Sequence, residues 1–197
     1  MNYLAHLLLA DDTPESILGN FLGDFVKGRP EGRYPDAVVA GIRLHRRVDV
    51  YTDGHSRVCT AVRRVAPERR RFAGIAVDMA FDHFLARDWQ ARDADGFAAF
   101  RRRVYDVLNA RAEDMPERAQ RMLPSFTGDD WLASYADFHG ICFALARMSR
   151  RLSRPNALAE TSRDLDRHYR DMEADLAVFW PDVQAFARTE RQRLDNS

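Results

Sequence analysis

The spacing of the apolar residues limits what this chain can fold into more than any other feature of its sequence. Apolar side chains recur every three or four positions, the period of an amphipathic helix, and no strand-like alternation of useful length is present. One such face is formed by Ile17, Leu18, Phe21, Leu22 and Phe25. The chain has 197 residues, of which 46% are hydrophobic, and this suits one hydrophobic core. The sequence therefore predicts an all-α, single compact helical domain over residues 1–197.

Capping residues and helix breakers give the expected helix limits. Thr13 can cap a helix whose first position is Pro14, and Gly28 ends it. After a short first helix, further helices are expected at 36–51, 57–65, 67–89, 97–108, 129–152 and 156–193. A loop is predicted over 116–128, and Asp53 with Gly54 is expected to break the helical pattern.

The charge and cysteine content argue against several classes of protein. Lys plus Arg equals Asp plus Glu, at 30 each, so the net charge gives no sign of a nucleic-acid partner. Cys59 and Cys142 form neither a CxxC motif nor a disulfide framework, which indicates a reducing compartment. The apolar run after Tyr3 lacks a basic leader and stops at Asp11, and no stretch approaches the roughly 20 apolar residues of a membrane span. The expected localisation is cytoplasmic, with no membrane partner.

Aspartate side chains lie on apolar helix faces in the first half of the chain. Asp24 lies between aromatic residues, four positions after Asn20 and on the same predicted helix face. An unpaired carboxylate in such surroundings is costly in free energy or becomes neutral. Asp78 and Asp82 have the same spacing on another apolar helix, where their like charges repel. A divalent metal or an arginine would resolve both cases.

A further group combines histidine, aspartate and arginine. His45 and Asp49 are four residues apart and share a helix face, so they can hold one metal or one hydrogen bond. Arg46 and Arg47 lie beside them, and a guanidinium group binds phosphate in a bidentate manner. The alternative is that Asp49 pairs with one of these two arginines.

Five side chains are candidates for a single metal site drawn from four predicted helices: His6, Asp24, His45, Asp78 and Asp82. Mixed imidazole and carboxylate ligands suit Mn²⁺, Fe²⁺, Mg²⁺ or Zn²⁺, and such a metal can activate water and polarise a phosphoryl oxygen. The catalytic candidates are then His83, which can protonate a leaving group or orient the water, together with Asp49 and Arg46. Arg46 and Arg47 are the candidate phosphate ligands.

Each candidate also has a purely structural interpretation. His6 taken alone is explained as a hydrogen-bonded core histidine. Surface or hydrogen-bonding positions are the simpler interpretation of His55, His139 and His168, which stay outside the predicted site.

Several ordered motifs are similar to those of a known family. They are MNYLAH at 1–6, GN at 19–20, DFVKG at 24–28, GI at 41–42, HRRVD at 45–49, TD at 52–53, DHFL at 82–85 preceded by Asp78, and DRHY at 166–169. Together they cover nearly the whole length and resemble the acyl carrier protein phosphodiesterases.

The resemblance implies a cytosolic phosphoric diester hydrolase. It would cleave 4′-phosphopantetheine from a serine of holo acyl carrier protein to give the apo carrier, with Mn²⁺ as the usual metal and Mg²⁺ or Fe²⁺ as alternatives. It also implies a helical bundle distantly related to the HD phosphohydrolases. One departure is that no adjacent His-Asp pair is present, only His45 with Asp49 and the reversed pair Asp82-His83. The ligand set is therefore not fixed by the HD pattern.

The implied partner is acidic, and the chain carries four arginine runs that could steer it: 63–64, 69–71, 101–103 and 150–151. The alternative is that any one run is a solvated helix face. Two other functions remain open, namely a metal-dependent hydrolase of a nucleotide or other small phosphodiester, and a non-catalytic helical module that docks an acidic protein. The sequence gives no oligomeric state.

Overall fold

The helical periodicity is realised as eleven α-helices within residues 1–195, the part of the chain that the computed structural model describes. They are α1 (Tyr3–Leu9), α2 (Pro14–Leu22), α3 (Asp36–Gly54), α4 (Ser56–Arg64), α5 (Ala73–Arg92), α6 (Ala94–Ala110), α7 (Glu117–Gly128), α8 (Trp131–Ser134), α9 (Phe138–Arg151), α10 (Ser162–Arg167) and α11 (Tyr169–Asp195). The all-α class is confirmed. Residues 196 and 197 of the predicted domain lie outside the described part.

One core is shared by helices from both halves of the chain. Helix α3 packs against α2 and α11, α11 also contacts α4 and α5, and α1 packs on α5. A continuous cluster of buried apolar side chains reaches from Leu4 in α1 to Ala187 in α11, as expected of a single domain. Its largest members are aromatic: Phe21, Phe81, Phe84, Phe97, Phe126 and Phe179. None of the helices described within 1–195 is long and apolar enough to cross a membrane.

Two glycines allow α2 and α3 to approach closely. A Cβ atom on Gly19 would lie 2.4 Å from the carbonyl oxygen of Val38, and one on Gly41 would lie 2.9 Å from the Cα atom of Gly19. Backbone contact of this kind is open only to residues without a side chain. The close crossing brings the end of α2 beside the part of α3 that carries His45.

The predicted loop over 116–128 is wrong, because this segment forms α7. Ala119, Leu123 and Phe126 are buried at helical spacing, so packing of this face stabilises the helix. Pro124 lies on the exposed face of α7. The proline removes one backbone hydrogen bond, and the packed face outweighs that loss.

The predicted helix at 129–152 is divided into α8 and α9. Asp130 has a left-handed backbone with φ 44°, and its carboxylate accepts the Ala133 N–H as the N-cap of α8. Asp137 caps α9 in the same way by accepting the His139 N–H. Two aspartates that start new helices therefore interrupt a stretch whose apolar spacing alone looks continuous.

Three other helix limits differ from expectation. Helix α3 continues through Asp53 to Gly54, where a break was expected. The segment Pro67–Phe72 is a 3₁₀ helix with no buried residue, so α5 begins only at Ala73. The predicted helix at 156–193 is divided at His168, between α10 and α11.

Candidate metal centre

Two buried histidines face each other where α1 meets α3. The rings of His6 and His45 are stacked, with centroids 3.7 Å apart and planes 16° apart, and each residue is 2% exposed. The missing side chain of Gly23 makes room for this pair, because a Cβ atom there would lie 2.1 Å from Cγ of His45. Residues on three separate segments thus define the position of one imidazole pair.

The carboxylate of Asp49 lies between the two rings. Its Oδ1 is 3.0 Å from Nε2 of His6, and its Oδ2 is 3.2 Å from Nε2 of His45. The predicted spacing of His45 and Asp49 on one face of α3 is therefore observed. The alternative pairing of Asp49 with Arg46 or Arg47 is not seen among the described residues, since its partners are His6, His45 and the Met1 amine.

The backbone of α2 orients His45. Its Nδ1 lies 2.8 Å from the carbonyl oxygen of Asn20, a group that can only accept a hydrogen bond. The proton on Nδ1 is therefore donated to Asn20, and Nε2 is the nitrogen that faces Asp49. In the sequence Asn20 stands out as a polar neighbour of Asp24, whereas its contribution here comes from its backbone carbonyl.

Asp24 stands at the open edge of this group. Its Oδ1 is 3.6 Å from Nε2 of His45, and its side chain is 50% exposed. It does not share a helix face with Asn20 as predicted, because α2 ends at Leu22 and Asp24 lies in the following turn. Burial acts against its ionisation, but the contact with His45 lowers its pKa overall.

The two histidines have opposite pKa shifts. Burial lowers the pKa of His6 to about 4, and the neighbouring charge of His45 acts in the same direction. Burial would also lower the pKa of His45, but Asp24 and Asp49 together raise it to about 9. Burial of Asp49 is likewise outweighed, since His45 and His6 lower the pKa of its carboxyl. At neutral pH, His6 is a neutral imidazole and His45 carries the proton shared with two carboxylates.

Asp78 and Asp82 do not join these residues directly. Oδ1 of Asp78 lies 3.4 Å from the Met1 amine, which is also 3.4 Å from Oδ1 of Asp49. The fully buried Asp82 accepts the N–H groups of Leu4 at 2.8 Å and Ala5 at 3.1 Å.

Asp82 therefore caps the N-terminus of α1, where unpaired N–H groups and the helix dipole favour a carboxylate. Burial raises its pKa to about 7, although the bonds to Leu4 and Ala5 act in the opposite direction. A cationic amine and backbone N–H groups thus meet the two acids, where sequence analysis expected a metal or an arginine between them. Their roles as metal ligands stay predictions.

The predicted catalytic His83 has other partners. Its Nδ1 lies 2.8 Å from the carbonyl oxygen of Tyr135, and its Nε2 lies 2.6 Å from the hydroxyl of Tyr169. Both ring nitrogens are engaged inside a group of aromatic rings that includes Phe84 and Phe138. Its catalytic role stays a prediction, and the contact joins the motif at 82–85 to the motif at 166–169.

Arg46 and Arg47 are both engaged within the chain. Arg46 donates to the carbonyl oxygens of Gly28 at 2.8 Å and Val26 at 2.6 Å, and so holds the turn that follows Asp24. Arg47 pairs with the buried carboxylate of Glu190 in α11. Their predicted phosphate contacts stay predictions, and Arg46 supports the segment that carries Asp24.

Among the described residues, His6, His45 and Asp49 form a group that fits a metal, and the ligand role of Asp24 stays a prediction. One ligand atom from each lies within 4.8 Å of the others, and two imidazoles with a carboxylate suit a first-row divalent ion. Nδ1 of His6 is buried without a hydrogen-bond partner, and Nε2 is close to Asp49 without the alignment of a hydrogen bond. A buried neutral imidazole that lacks a hydrogen bond is a ready ligand. Asp49, predicted as catalytic, belongs to this set.

The fold and this cluster define an all-helical protein with a histidine–carboxylate site that fits a divalent metal. Residues 1–183 match the family described as acyl carrier protein phosphodiesterase. The chain belongs to the acyl carrier protein phosphodiesterase family.

Relatives over nearly the full length bear the same description. The acyl carrier protein phosphodiesterase of Photorhabdus laumondii is 40% identical over 92% of each chain. That of Serratia proteamaculans is 38% identical over 97% of this chain and 100% of its own. That of Escherichia coli O157:H7 is 38% identical over 95% of this chain and 97% of its own. No solved structure matches the chain, so the likeness to HD phosphohydrolases stays a prediction.

Proposed function

We propose that this protein is a metal-dependent phosphodiesterase that hydrolyses 4′-phosphopantetheine from the serine of holo acyl carrier protein and leaves the apo carrier. The observation that carries the proposal is family membership over residues 1–183 together with relatives of that name over the full length. The cluster of His6, His45 and Asp49 supports the hydrolytic chemistry, because it combines the ligand types that a phosphodiesterase metal needs. A cytoplasmic location belongs to the same proposal, since the carrier substrate is implied to be cytosolic.

The metal would be held by His6, His45 and Asp49, with Mn²⁺ as the expected ion and Mg²⁺ or Fe²⁺ as alternatives. When bound, it would supply Lewis-acid activation of water and of the phosphoryl oxygen. His6 is already neutral and needs no deprotonation to act as a ligand. His45 must give up its Nε2 proton, while its Nδ1–H bond to Asn20 keeps the ring in place.

Asp24 is suited to move a proton at the edge of the cluster. It contacts His45 and is half-exposed, so its carboxylate can exchange a proton with both the cluster and the solvent. Arg46 holds the turn after Asp24 and thereby fixes the position of this carboxylate. We propose Asp24 as the acid–base group on the substrate side.

The test is intact-mass spectrometry of holo carrier protein incubated with this protein, with Mn²⁺ or with EDTA. We expect loss of the phosphopantetheine mass only with metal. His6→Ala should reduce the rate at least about 100-fold, because it removes a ligand whose loss disrupts metal binding. His139→Ala is the matched control, because His139 is 93% exposed and is not one of the cluster's ligands, and its rate should be unchanged.

The other outcomes identify the alternative functions. No mass change with metal, combined with hydrolysis of a small phosphodiester, would contradict the carrier substrate and favour a nucleotide-type hydrolase. A tight complex without turnover would favour the non-catalytic docking module.

A further inference from the structure

A groove of about 500 Å³ opens beside the metal centre, between α5, α7 and α9. Asn2 and Tyr3 line its inner end, directly after Met1, whose amine contacts Asp49 and Asp78. Ile75 and Met79 of α5 line it on the face that also carries Asp78. The ligands of the cluster do not line the groove, but Met1 connects its inner end to Asp49. A partner bound in the groove would therefore lie near the cluster.

The rim of this groove is unusually apolar for an exposed surface. Ile75 is 42% exposed, Phe143 is 59% exposed and Leu152 is 46% exposed, and all three line the groove. They are three of the five large hydrophobic residues exposed in the described part of the chain. Exposed apolar side chains collected on one surface mark a binding face rather than a random scatter.

The same surface is strongly basic. The segment 138–159, which contains α9, has four arginines and neither aspartate nor glutamate, although the whole chain is neutral. Arg147 and Arg151 line the groove from this segment, and Arg118 lines it from α7. The surface combines positive charge with exposed apolar side chains.

Each of the other arginine runs contains at least one arginine that forms an ion pair with a carboxylate of the same chain. In the run at 63–64, Arg64 pairs with Asp175 at 2.9 Å, and in the run at 69–71, Arg69 binds Asp164 through two hydrogen bonds. In the run at 101–103, Arg101 pairs with Asp130, and Arg103 pairs with Asp12.

The run at 150–151 has no such partner among the carboxylates of the described residues, nor does Arg118. Arg147 lies 3.8 Å from a carboxylate oxygen of Asp129, donates to the Ser125 hydroxyl at 3.4 Å and lies over the ring of Trp131. Arg118 and Arg151 at the groove therefore lack a carboxylate partner within the described residues, and Arg147 has only a long one, so all three can pair with an outside anion.

We propose that this groove is the docking surface for the acidic carrier protein, which lays an acidic amphipathic helix across α7 and α9. Carboxylates of that helix pair with Arg118, Arg147 and Arg151, and its apolar side chains cover Ile75, Phe143 and Leu152. An acidic amphipathic helix fits better than a small anion, because the groove combines three arginines with three exposed apolar side chains that a phosphate would leave uncovered. The inference rests on the proposed function for the identity of the partner.

The test measures binding without turnover. Fluorescently labelled apo carrier protein, the product, is titrated with metal-free protein and followed by anisotropy. The double variant Arg118→Glu/Arg151→Glu should raise Kd at least about tenfold and flatten its salt dependence, because rim charges set the steering of a charged partner. Phe143→Ser should also raise Kd. Phe143 is more than half exposed, so its replacement leaves the core intact.

Arg102→Glu is the matched control. Arg102 is exposed on α6, belongs to the run at 101–103 and has no carboxylate partner among the described residues, so its Kd should stay within about twofold of the unmodified protein. An unchanged Kd in the groove variants, or an equal loss in Arg102→Glu, would overturn the groove as the docking surface. A different outcome is that the unmodified protein binds anionic phospholipid vesicles but not the carrier, and that the groove variants abolish vesicle binding. That outcome would overturn the carrier as the partner and favour a membrane surface.

A steady-state assay separates this proposal from the proposed function. With Mn²⁺ and holo carrier, the groove variants should raise KM and leave kcat unchanged, since the metal centre is untouched. If the unmodified protein turns over holo carrier and the variants keep the same KM, only the docking role of the groove is rejected. Carrier binding that depends on the groove without any turnover would reject only the hydrolytic function.

Discussion

Single residues decide the charge on each imidazole of the metal centre. His6 has no aligned acidic partner and is buried, so burial holds its pKa at about 4. His45 is equally buried, yet contacts two carboxylates that raise its pKa to about 9. The same residue type thus takes opposite charge states 3.7 Å apart. In the metal-free protein, the Nε2 proton of His45 supplies the positive charge beside Asp24 and Asp49. Metal binding must displace this proton.

The pKa of His45 predicts how stability depends on pH in the metal-free protein. Because the folded pKa of about 9 exceeds the unfolded value of 6.5, protonated His45 stabilises the fold fully below pH 6.5, and this is lost as pH rises through 9. The difference in unfolding free energy between the unmodified protein and His45→Gln should therefore shrink by about 1–3 kcal/mol from pH 6 to pH 10. Urea unfolding in EDTA measures it.

His139→Gln is the control for this experiment. His139 is 93% exposed, and its replacement should leave the unfolding free energy unchanged throughout. A constant difference between the unmodified protein and His45→Gln at every pH would contradict a charged His45.

At the scale of elements, the crossing of α2 and α3 determines the site. Gly19 and Gly41 bring the two helices into backbone contact, and the next residue of α2, Asn20, supplies the carbonyl that orients His45. The turn after α2 then supplies both Gly23, which leaves room for the ring, and Asp24. A shift of α2 by a few tenths of an ångström would change all three contacts together.

Gly41→Ala should therefore weaken both the fold and metal binding. The new Cβ atom would lie 2.9 Å from the Cα atom of Gly19 and 3.0 Å from the carbonyl oxygen of Ser16, so α2 must move. We expect a loss of about 1–3 kcal/mol in unfolding free energy and weaker Mn²⁺ binding by calorimetry.

Gly74→Ala in α5 is the control for Gly41→Ala. Nothing lies within 4 Å of a Cβ atom at Gly74. That change should stabilise the protein by about 0.4–1 kcal/mol through the unfolded state. Equal effects of the two substitutions would mean that the helix crossing does not control the site.

At the scale of the whole molecule, the metal centre exists only in the folded chain. Its ligands come from α1 and α3, and α5 fixes the start of α1 through Asp82. Helix α11 in turn packs on α3 and binds Arg47 through Glu190. A metal that binds this arrangement and not the unfolded chain must stabilise the fold.

Mn²⁺ should accordingly raise the melting temperature. At 100 times its Kd, a ligand adds about 2.7 kcal/mol, which corresponds to roughly 5–10 °C for a chain of this size. Differential scanning fluorimetry with Mn²⁺ and with EDTA measures the shift, which His6→Ala should abolish and His139→Ala should retain. The same melting temperature with and without Mn²⁺ would contradict the metal site.

By itself, the sequence determined the features that depend on neighbours along the chain. The helical class, the cap at Thr13 and the shared face of His45 and Asp49 follow from helical spacing and capping. His6, Asp24 and His45 were predicted as metal ligands, and the structure brings these three side chains together, while their roles stay predictions. Helix α7 was missed, because the prolines suggested a loop while its buried face is decided by packing.

Which acid meets which partner depends on the packing of distant segments. Asp49 and Asp82 looked alike as acids on helices with apolar faces, yet Asp49 lies between two imidazoles, and Asp82 caps α1 by accepting the N–H of Leu4, 78 residues earlier in the chain. The arginine runs were also equivalent in sequence until distant carboxylates paired with three of them. Pairings of this kind depend on the three-dimensional approach of distant segments, and local spacing carries no information about them.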